Sequence, residues 1–173
     1  MNENSAREQL LAAISRKPRL HFGHLPTPLD DAPRLSDRLG VRVLLKRDDE
    51  TGFALGGNKV RKLEFLIADV KASRADVVVT TGGSQSNHAR IAAAACRRAG
   101  LDCYLVLDRG VHPVQQGNLL LDELFGAHVR WLDTDDPADA LRGMDDRAAR
   151  RMSFLVAVAC RREQLDMLLL SLS

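Results

Sequence analysis

Residues 77–90 read VVVTTGGSQSNHAR, and this stretch decides the fold. Residues 77–81 are a run of β-branched side chains, which is typical of a strand buried on both faces of a sheet. Residues 82–88 follow as a turn, and residues 89–99 form an alanine-rich helix that Gly100 ends at its C′ position. A strand, a short turn and a helix in this order indicate an α/β fold.

Strands and helices alternate along the remainder of the chain. Upstream, apolar spacing and breakers predict a helix over 5–15, an irregular proline-containing segment over 21–33, a strand over 41–46, a loop over 48–57 and a helix from Asn58. Downstream, they predict strands over 103–107 and 128–132 and helices over 115–125 and 137–151, and an apolar run over 154–159 is compatible with a further buried strand. The alternation predicts a parallel sheet.

The composition excludes several classes of protein. With 173 residues, 45% of them hydrophobic, and 25 basic against 23 acidic side chains, the chain is too apolar and too nearly neutral to be intrinsically disordered. No apolar run reaches the roughly 18 residues that cross a bilayer, and the first residues lack a signal-peptide pattern. Cys96, Cys103 and Cys160 lack the spacing of a disulfide framework or a zinc site. We expect a cytoplasmic protein without metal, membrane or nucleic-acid partners.

A lysine stands at the start of the helix that follows residue 57. The sequence Gly56-Gly57-Asn58-Lys59 places it directly after a glycine turn. A helix N-terminus disfavours an ammonium charge, so a lysine in this position can form a Schiff base with a carbonyl cofactor. A solvated surface lysine explains the same pattern. From these residues alone both interpretations stay open.

The turn over 82–88 has the composition of an anion-binding loop. Its glycines let a ligand approach the backbone, N–H groups at the following helix start bind an anion, and Ser86, Asn87 and His88 add directed hydrogen bonds. Serine and asparagine also cap helices for purely structural reasons. Because this turn and Lys59 both lie where α/β units bind ligands, together they favour a small-molecule site, with an anion- or nucleotide-binding module as the alternative.

Five segments, in this order, resemble one enzyme family. They are HLPTPL (24–29), LKRDD (45–49), GGNKVRKLEF (56–65), GGSQSNHAR (82–90) and GNLLLDELFGA (117–127). Over roughly residues 21–150 their order and spacing closely resemble the pyridoxal-phosphate enzymes of the D-cysteine desulfhydrase and 1-aminocyclopropane-1-carboxylate deaminase family.

The resemblance implies a tryptophan-synthase β-like fold, with a parallel sheet in a three-layer α/β arrangement, and pyridoxal 5'-phosphate as the cofactor. It implies that Lys59 is the Schiff-base lysine and the proton carrier, and that Asn58 and Asn87 help to place the cofactor ring. It further implies that Ser86, Asn87 and His88 hold the substrate carboxylate, and that Ser86 assists proton transfer.

The family also indicates the substrate class. The residues SNH at 86–88 resemble the desulfhydrases, which implies a lyase that converts D-cysteine to pyruvate, sulfide and ammonia. L-cysteate sulfo-lyase and 1-aminocyclopropane-1-carboxylate deaminase activities are the alternatives within the family. The alternative to an active enzyme is a truncated chain that is catalytically silent.

The resemblance divides the chain into three parts. Residues 1–57 correspond to the start of a large cofactor domain, residues 58–150 to a small α/β domain, and residues 151–173 to a tail that does not resemble the family. Family members are longer, and their later half supplies a phosphate-binding loop, so we expect an incomplete large domain. A frameshift is our hypothesis for the tail. The expected partners are a small amino-acid substrate and either a second copy, in a homodimer, or a longer relative.

Overall fold

A computed structural model describes residues 3–108, 115–132 and 157–160. Five helices and six strands lie within these ranges, together with a 3₁₀ turn over Asp48–Thr51. The helices are α1 (Glu3–Ser15), α2 (Pro33–Leu39), α3 (Lys59–Ala72), α4 (Asn87–Ala99) and α5 (Gly117–Leu124). The strands are β1 (Leu29–Asp31), β2 (Leu44–Lys46), β3 (Val77–Gly83), β4 (Asp102–Asp108), β5 (His128–Leu132) and β6 (Ala157–Cys160).

The main sheet has the strand order β5-β4-β3-β6. Strands β3, β4 and β5 are parallel, which confirms the predicted parallel sheet, with Val77 opposite Asp102 and Tyr104 opposite His128. Strand β6 runs antiparallel to β3, with Val77 opposite Cys160, so the sheet is mixed at this side. The helix predicted over 137–151 lies outside the described residues.

Helix α4 lies at the centre of the fold and packs on α3, α5, β3 and β4. Its residues from His88 to Cys96 are all buried, and five of these nine are alanines. Small side chains let neighbouring elements approach the helix backbone closely on several sides. The core around α4 is completed by larger apolar residues, among them Val60, Leu63, Ile67, Val78, Leu105, Leu107 and Leu119.

The N-terminal part differs from the predicted pattern. The strand expected over 41–46 is shorter than predicted, and β2 runs antiparallel to β1, which lies inside the segment predicted to be irregular. Helix α2, which the sequence reasoning did not predict, connects the two strands and ends at Gly40, whose φ is +67°. Proline at the first turn of α2 is compatible with a helix start, because that position needs no N–H donor.

A buried carboxylate attaches the N-terminal segment to α3. Glu64 is fully buried and accepts hydrogen bonds from the backbone N–H of Phe22 (2.9 Å) and Gly23 (3.0 Å) and from Arg19 Nε (2.7 Å). Burial raises the pKa of Glu64, but these three donors outweigh burial and hold the pKa below its usual value. Phe22 consequently belongs to the same core as α3 and α4.

No helix within the described ranges is long and apolar enough to cross a membrane. The same part of the chain contains no cluster of three or more potential metal-binding side chains.

Candidate functional site

The loop before Lys59 is organised around Asp48. Its carboxylate accepts hydrogen bonds from Thr27 Oγ1 (2.8 Å) and from Arg61 Nε (2.8 Å) and Nη2 (2.7 Å), and its backbone oxygen accepts one from the N–H of Gly57 (2.8 Å). The Arg61 guanidinium, followed by the Thr27 hydroxyl, lowers the pKa of Asp48 to about 2 against the opposing effect of burial. Three of the five family-like segments therefore meet at one carboxylate.

Two glycines allow this loop to reach α3. Gly56 has a φ of +76°, and a Cβ placed on it would lie 1.9 Å from the backbone oxygen of Asp49. Gly57 has a φ of +128° and faces Ile91 of α4, whose Cδ1 would be 3.3 Å from an added Cβ. A residue with a side chain therefore does not fit at Gly56 unless the backbone shifts.

Lys59 is the first residue of α3, and Asn58 is the N-cap. The Lys59 Nζ donates a hydrogen bond to Asn58 Oδ1 at 2.9 Å, although the Asn58 side chain makes no capping bond to the helix backbone. Asn58 is exposed and Lys59 is half-buried. The amine is thus held at the entrance of the helix, where it remains accessible to a ligand.

Ser86 is the N-cap of α4. Its backbone is extended, and its Oγ accepts a hydrogen bond from the N–H of Ala89 at 3.3 Å, which leaves the hydroxyl hydrogen available as a donor. The neighbouring Gly82 gives the Ser86 side chain room, because an added Cβ would lie 2.9 Å from both Cβ and Oγ of Ser86. The predicted turn is shorter than expected: β3 extends to Gly83 and α4 begins at Asn87 rather than at residue 89.

Asn87 and His88 point to different surroundings. Asn87 is exposed, and its Oδ1 accepts a hydrogen bond from Asn118 Nδ2 at 3.0 Å. His88 is only 6% exposed, and its Nε2 lies 3.1 Å from Thr80 Oγ1 of β3. The His88 ring therefore faces the sheet, and the substrate-binding role given to it by the family resemblance stays a prediction.

Asn118 and Gln85 are site residues to which the sequence reasoning assigned no role. Asn118 donates from Nδ2 to the backbone oxygen of Gln85 (2.8 Å), and its backbone N–H donates to Gln85 Oε1 (3.0 Å). Gln85 Nε2 in turn donates to the backbone oxygen of Gln116 (3.0 Å). These bonds attach the start of α5 to the turn before α4. Both residues lie within segments that carry the family resemblance, and this location could have identified them from the sequence.

Arg90 connects the two halves of the site. Its Nη2 donates to the backbone oxygen of Gly56 at 2.7 Å, and its Nη1 donates to Asn118 Oδ1 at 2.9 Å. Gly56 belongs to the loop before Lys59, whereas Asn118 contacts Asn87. The lysine group (Asn58 and Lys59) and the turn group (Ser86 to His88) are therefore parts of one connected structure.

A buried carboxyl group lies behind Arg90. Asp122 of α5 is fully buried, and neither of its carboxyl oxygens has a hydrogen-bond partner among the described residues. Burial raises the pKa of Asp122 to about 7, although the positive charge of Arg90 opposes this shift. Burial likewise lowers the pKa of Arg90, and the Asp122 charge opposes that change.

This chain spans less than half the length of the curated relatives that it matches. The chain is 44% identical over 146 residues to a D-cysteine desulfhydrase of Klebsiella pneumoniae, which covers 81% of this chain and 44% of the relative. It is 44% identical over 132 residues to the Salmonella typhimurium enzyme of the same name, covering 73% of this chain and 40% of the relative.

Solved structures agree with the fold. A protein described as an ACC deaminase homologue superposes with a TM-score of 0.72 at 33% identity, covering 96% of this chain and 45% of its own. Maize serine racemase superposes with a TM-score of 0.53 at 22% identity over 76% of this chain and 36% of its own, which supports the fold alone. The α/β fold is the predicted tryptophan-synthase β-like one, and this chain contains only part of it.

The family model for pyridoxal-phosphate dependent enzymes matches residues 20–162. This range includes Lys59, the turn at residues 84–86 and the whole described sheet, and it continues past residue 150, where the resemblance in the sequence was expected to end. This chain therefore belongs to the family of pyridoxal-phosphate dependent enzymes.

Proposed function

We propose that this chain carries the lysine-bearing part of a pyridoxal-phosphate site in a lyase that acts on D-cysteine. The observation that carries the proposal is the connection of Lys59 to the N-terminus of α4 through Gly56, Arg90, Asn118 and Asn87. The named relatives, D-cysteine desulfhydrases at 44% identity, support the substrate.

The donor set fits the cofactor. An accessible primary amine at Lys59 suits an aldehyde, and carboxamide groups at Asn58 and Asn87 suit the oxygen and nitrogen atoms around a pyridine ring. Because Gly57 has no side chain, the lysine loop approaches the Ile91 and Arg90 side chains of α4 closely. When bound, pyridoxal phosphate withdraws electrons from the substrate α-carbon.

The residues of this chain supply binding and proton transfer. The N–H groups at the start of α4 and the Ser86 hydroxyl bind the substrate carboxylate, because a helix N-terminus attracts anions. The Lys59 amine takes the proton from the α-carbon, and Ser86 assists that transfer. Elimination of the β-thiol and hydrolysis then convert one D-cysteine and one water to pyruvate, sulfide and ammonia.

A deaminase of 1-aminocyclopropane-1-carboxylate is the second candidate, because the structure with a TM-score of 0.72 is described as an ACC deaminase homologue. Association with a longer relative would supply the part of the fold that this chain does not contain, and a homodimer is the other proposed assembly. We further propose a cytoplasmic location, consistent with the bacterial relatives.

The first experiment adds pyridoxal phosphate to the purified chain, reduces it with borohydride and locates the modified lysine by mass spectrometry. We expect modification at Lys59, and none at that position in Lys59→Ala. Lys62→Ala is the matched control, because Lys62 is the neighbouring lysine and its pKa is lowered by burial and by the Lys59 charge, which makes it the competing amine.

Substrate assays separate the candidate reactions. Sulfide from D-cysteine supports the desulfhydrase, sulfite from L-cysteate a sulfo-lyase, and ammonia from 1-aminocyclopropane-1-carboxylate the deaminase. Modification spread over several lysines in folded protein would contradict the site. Phosphate binding that is unchanged in Lys59→Ala would instead support a plain anion-binding module.

A further inference from the structure

The orientation of the Asn118 carboxamide is fixed from two sides. Its Oδ1 lies 2.9 Å from Arg90 Nη1, and a guanidinium only donates hydrogen bonds. Its Nδ2 lies 2.8 Å from the backbone oxygen of Gln85, and a carbonyl oxygen only accepts them. Rotating the amide by 180° would place an acceptor against an acceptor and a donor against a donor. Asn118 therefore has one allowed orientation.

This orientation determines that of Asn87. The second hydrogen on Asn118 Nδ2 is directed at the Asn87 side chain, at 3.0 Å, so Asn87 must present its oxygen there. The Asn87 NH₂ group consequently faces away from Asn118, and Asn87 is exposed at the first position of α4. A ligand that contacts Asn87 on the side away from Asn118 therefore meets a hydrogen-bond donor.

The arrangement is anchored within the fold. Arg90 is 7% exposed and uses its other terminal nitrogen to bind the backbone oxygen of Gly56, so it cannot turn away from Asn118 without breaking that bond. The backbone N–H of Asn118 is held by Gln85 Oε1, whose own amide nitrogen is fixed by the Gln116 carbonyl. Gly117 has a φ of +58°, and a Cβ on it would lie 2.6 Å from Gln85 Oε1.

We propose that Asn118, held by Arg90, is a positioning residue that makes Asn87 a hydrogen-bond donor toward the cofactor or substrate. The inference rests on the proposed function for the identity of the ligand, but the Asn87 orientation exists without it. Arg90 also ties the same amide to the Lys59 loop through Gly56. A change at Asn118 should therefore act on the ligand through Asn87.

The main test is Asn118→Asp in the full chain, combined with Asn87→Ala. The aspartate still accepts from Arg90, but its second oxygen replaces the donor to the Gln85 backbone oxygen and to Asn87. Asn87 must then turn its NH₂ group toward residue 118 and its oxygen toward the ligand, whereas the loss of the Gln85 bond is common to both backgrounds and is cancelled by the comparison with Asn87→Ala. We expect the dissociation constant for pyridoxal phosphate, from absorbance titration, to rise on the order of 10- to 100-fold. In the Asn87→Ala background the same substitution should have no further effect.

A readout without cofactor separates this inference from the proposed function. The Asn87 side-chain amide signal, assigned by its loss in Asn87→Ala, should move downfield in Asn118→Asp because the amide now donates to a carboxylate. This shift is expected even if the chain does not bind pyridoxal phosphate. If the unfolding temperature shows that Asn118→Asp is not folded, Asn118→Ala and Arg90→Lys repeat the titration in both backgrounds.

Two outcomes would overturn the inference. One is a folded Asn118→Asp chain whose Asn87 amide signal does not move. The other is an affinity loss of equal size with and without the Asn87 side chain, because that result would mean that residue 118 acts on the fold and not through Asn87.

Discussion

The Arg61 guanidinium donates two hydrogen bonds to the Asp48 carboxylate, one from Nε at 2.8 Å and one from Nη2 at 2.7 Å. Arg61 is two residues after Lys59, so this pair fixes the start of α3 against the preceding loop. Asp48→Asn keeps the shape but removes the charge. We expect the free energy of unfolding at pH 7, from urea titration, to fall by about 1 kcal/mol, because solvent screens the partly exposed pair.

The same pair predicts a pH dependence. The folded-state pKa of Asp48 is about 2, below the ordinary value of about 3.9, so its contribution is complete above pH 4 and is lost as the pH falls toward 2. As the pH falls from 4 to 2, the free energy of unfolding should therefore decrease less for Asp48→Asn than for the unmodified chain. Asp37→Asn, a change at an exposed position of α2, should follow the unmodified chain. Parallel curves for all three would contradict the role of Asp48.

Glu64 provides a prediction on the N-terminal segment. Glu64→Gln replaces a buried carboxylate that accepts from Phe22, Gly23 and Arg19 by a neutral amide. We expect a loss of about 2 kcal/mol in the free energy of unfolding, because bonds to a charged acceptor are weakened. Hydrogen exchange at the amides of Phe22 and Gly23 should become faster, whereas Glu8→Gln on the exposed face of α1 should leave both rates unchanged.

Asp122 should destabilise the fold at high pH. Its folded-state pKa of about 7 lies above the ordinary value of about 3.9, so folding favours the protonated form and stability declines as the pH rises from 4 to 7. Asp122→Asn should remove this decline and exceed the unmodified chain by on the order of 2–4 kcal/mol at pH 8, with little difference near pH 4.

Thermal unfolding at several pH values measures the Asp122 effect. Glu123→Gln is the matched control, since Glu123 is the next residue on α5 and is exposed. A constant offset between Asp122→Asn and the unmodified chain at every pH would show that folding does not raise the pKa of Asp122, and would contradict the prediction.

Gly40 and Gly56 have similar φ angles and allow a matched comparison. Gly40→Ala, at φ +67° in open space, should cost only the left-handed backbone strain of about 1 kcal/mol. Gly56→Ala, at φ +76°, adds a Cβ at 1.9 Å from the Asp49 oxygen and should cost more than 3 kcal/mol, because backbone atoms must move. Gly56→Ala should also reduce borohydride trapping at Lys59, and Gly40→Ala should not. Equal unfolding temperatures would contradict the close contact.

The sequence predicted the central part of the fold well, because β-branched runs, alanine-rich stretches and glycine stops act locally. Strand β5 was predicted with its observed bounds, and β3, β4 and α5 to within about two residues; the start of α3 was predicted to within one residue. The β1–β2 pair was missed, since antiparallel pairing of two three-residue strands depends on contacts distant in sequence. The direction of β6 was likewise set by its neighbour and not by its composition.

The candidate site was likewise predicted only in part. Lys59, Ser86 and Asn87 were predicted as site residues from their types at helix starts together with the family resemblance, and their roles stay predictions. Asn118 and Arg90 were not given roles, because their significance lies in bonds over 28 to 34 positions along the chain. The burial of His88 against Thr80 was also not predictable, since a helix start has one exposed and one buried side and the turn length decides which residue occupies each.

The alanines of α4 limit which substitutions the candidate site can tolerate. Because the helix is packed on several sides through methyl groups, its axis has no room to shift, and a larger side chain would displace a neighbour. The position of its N-terminus is therefore set by atoms that take no part in chemistry. Within this chain, substitutions are therefore better tolerated at the exposed and half-buried residues 84–87 than along the buried part of the helix.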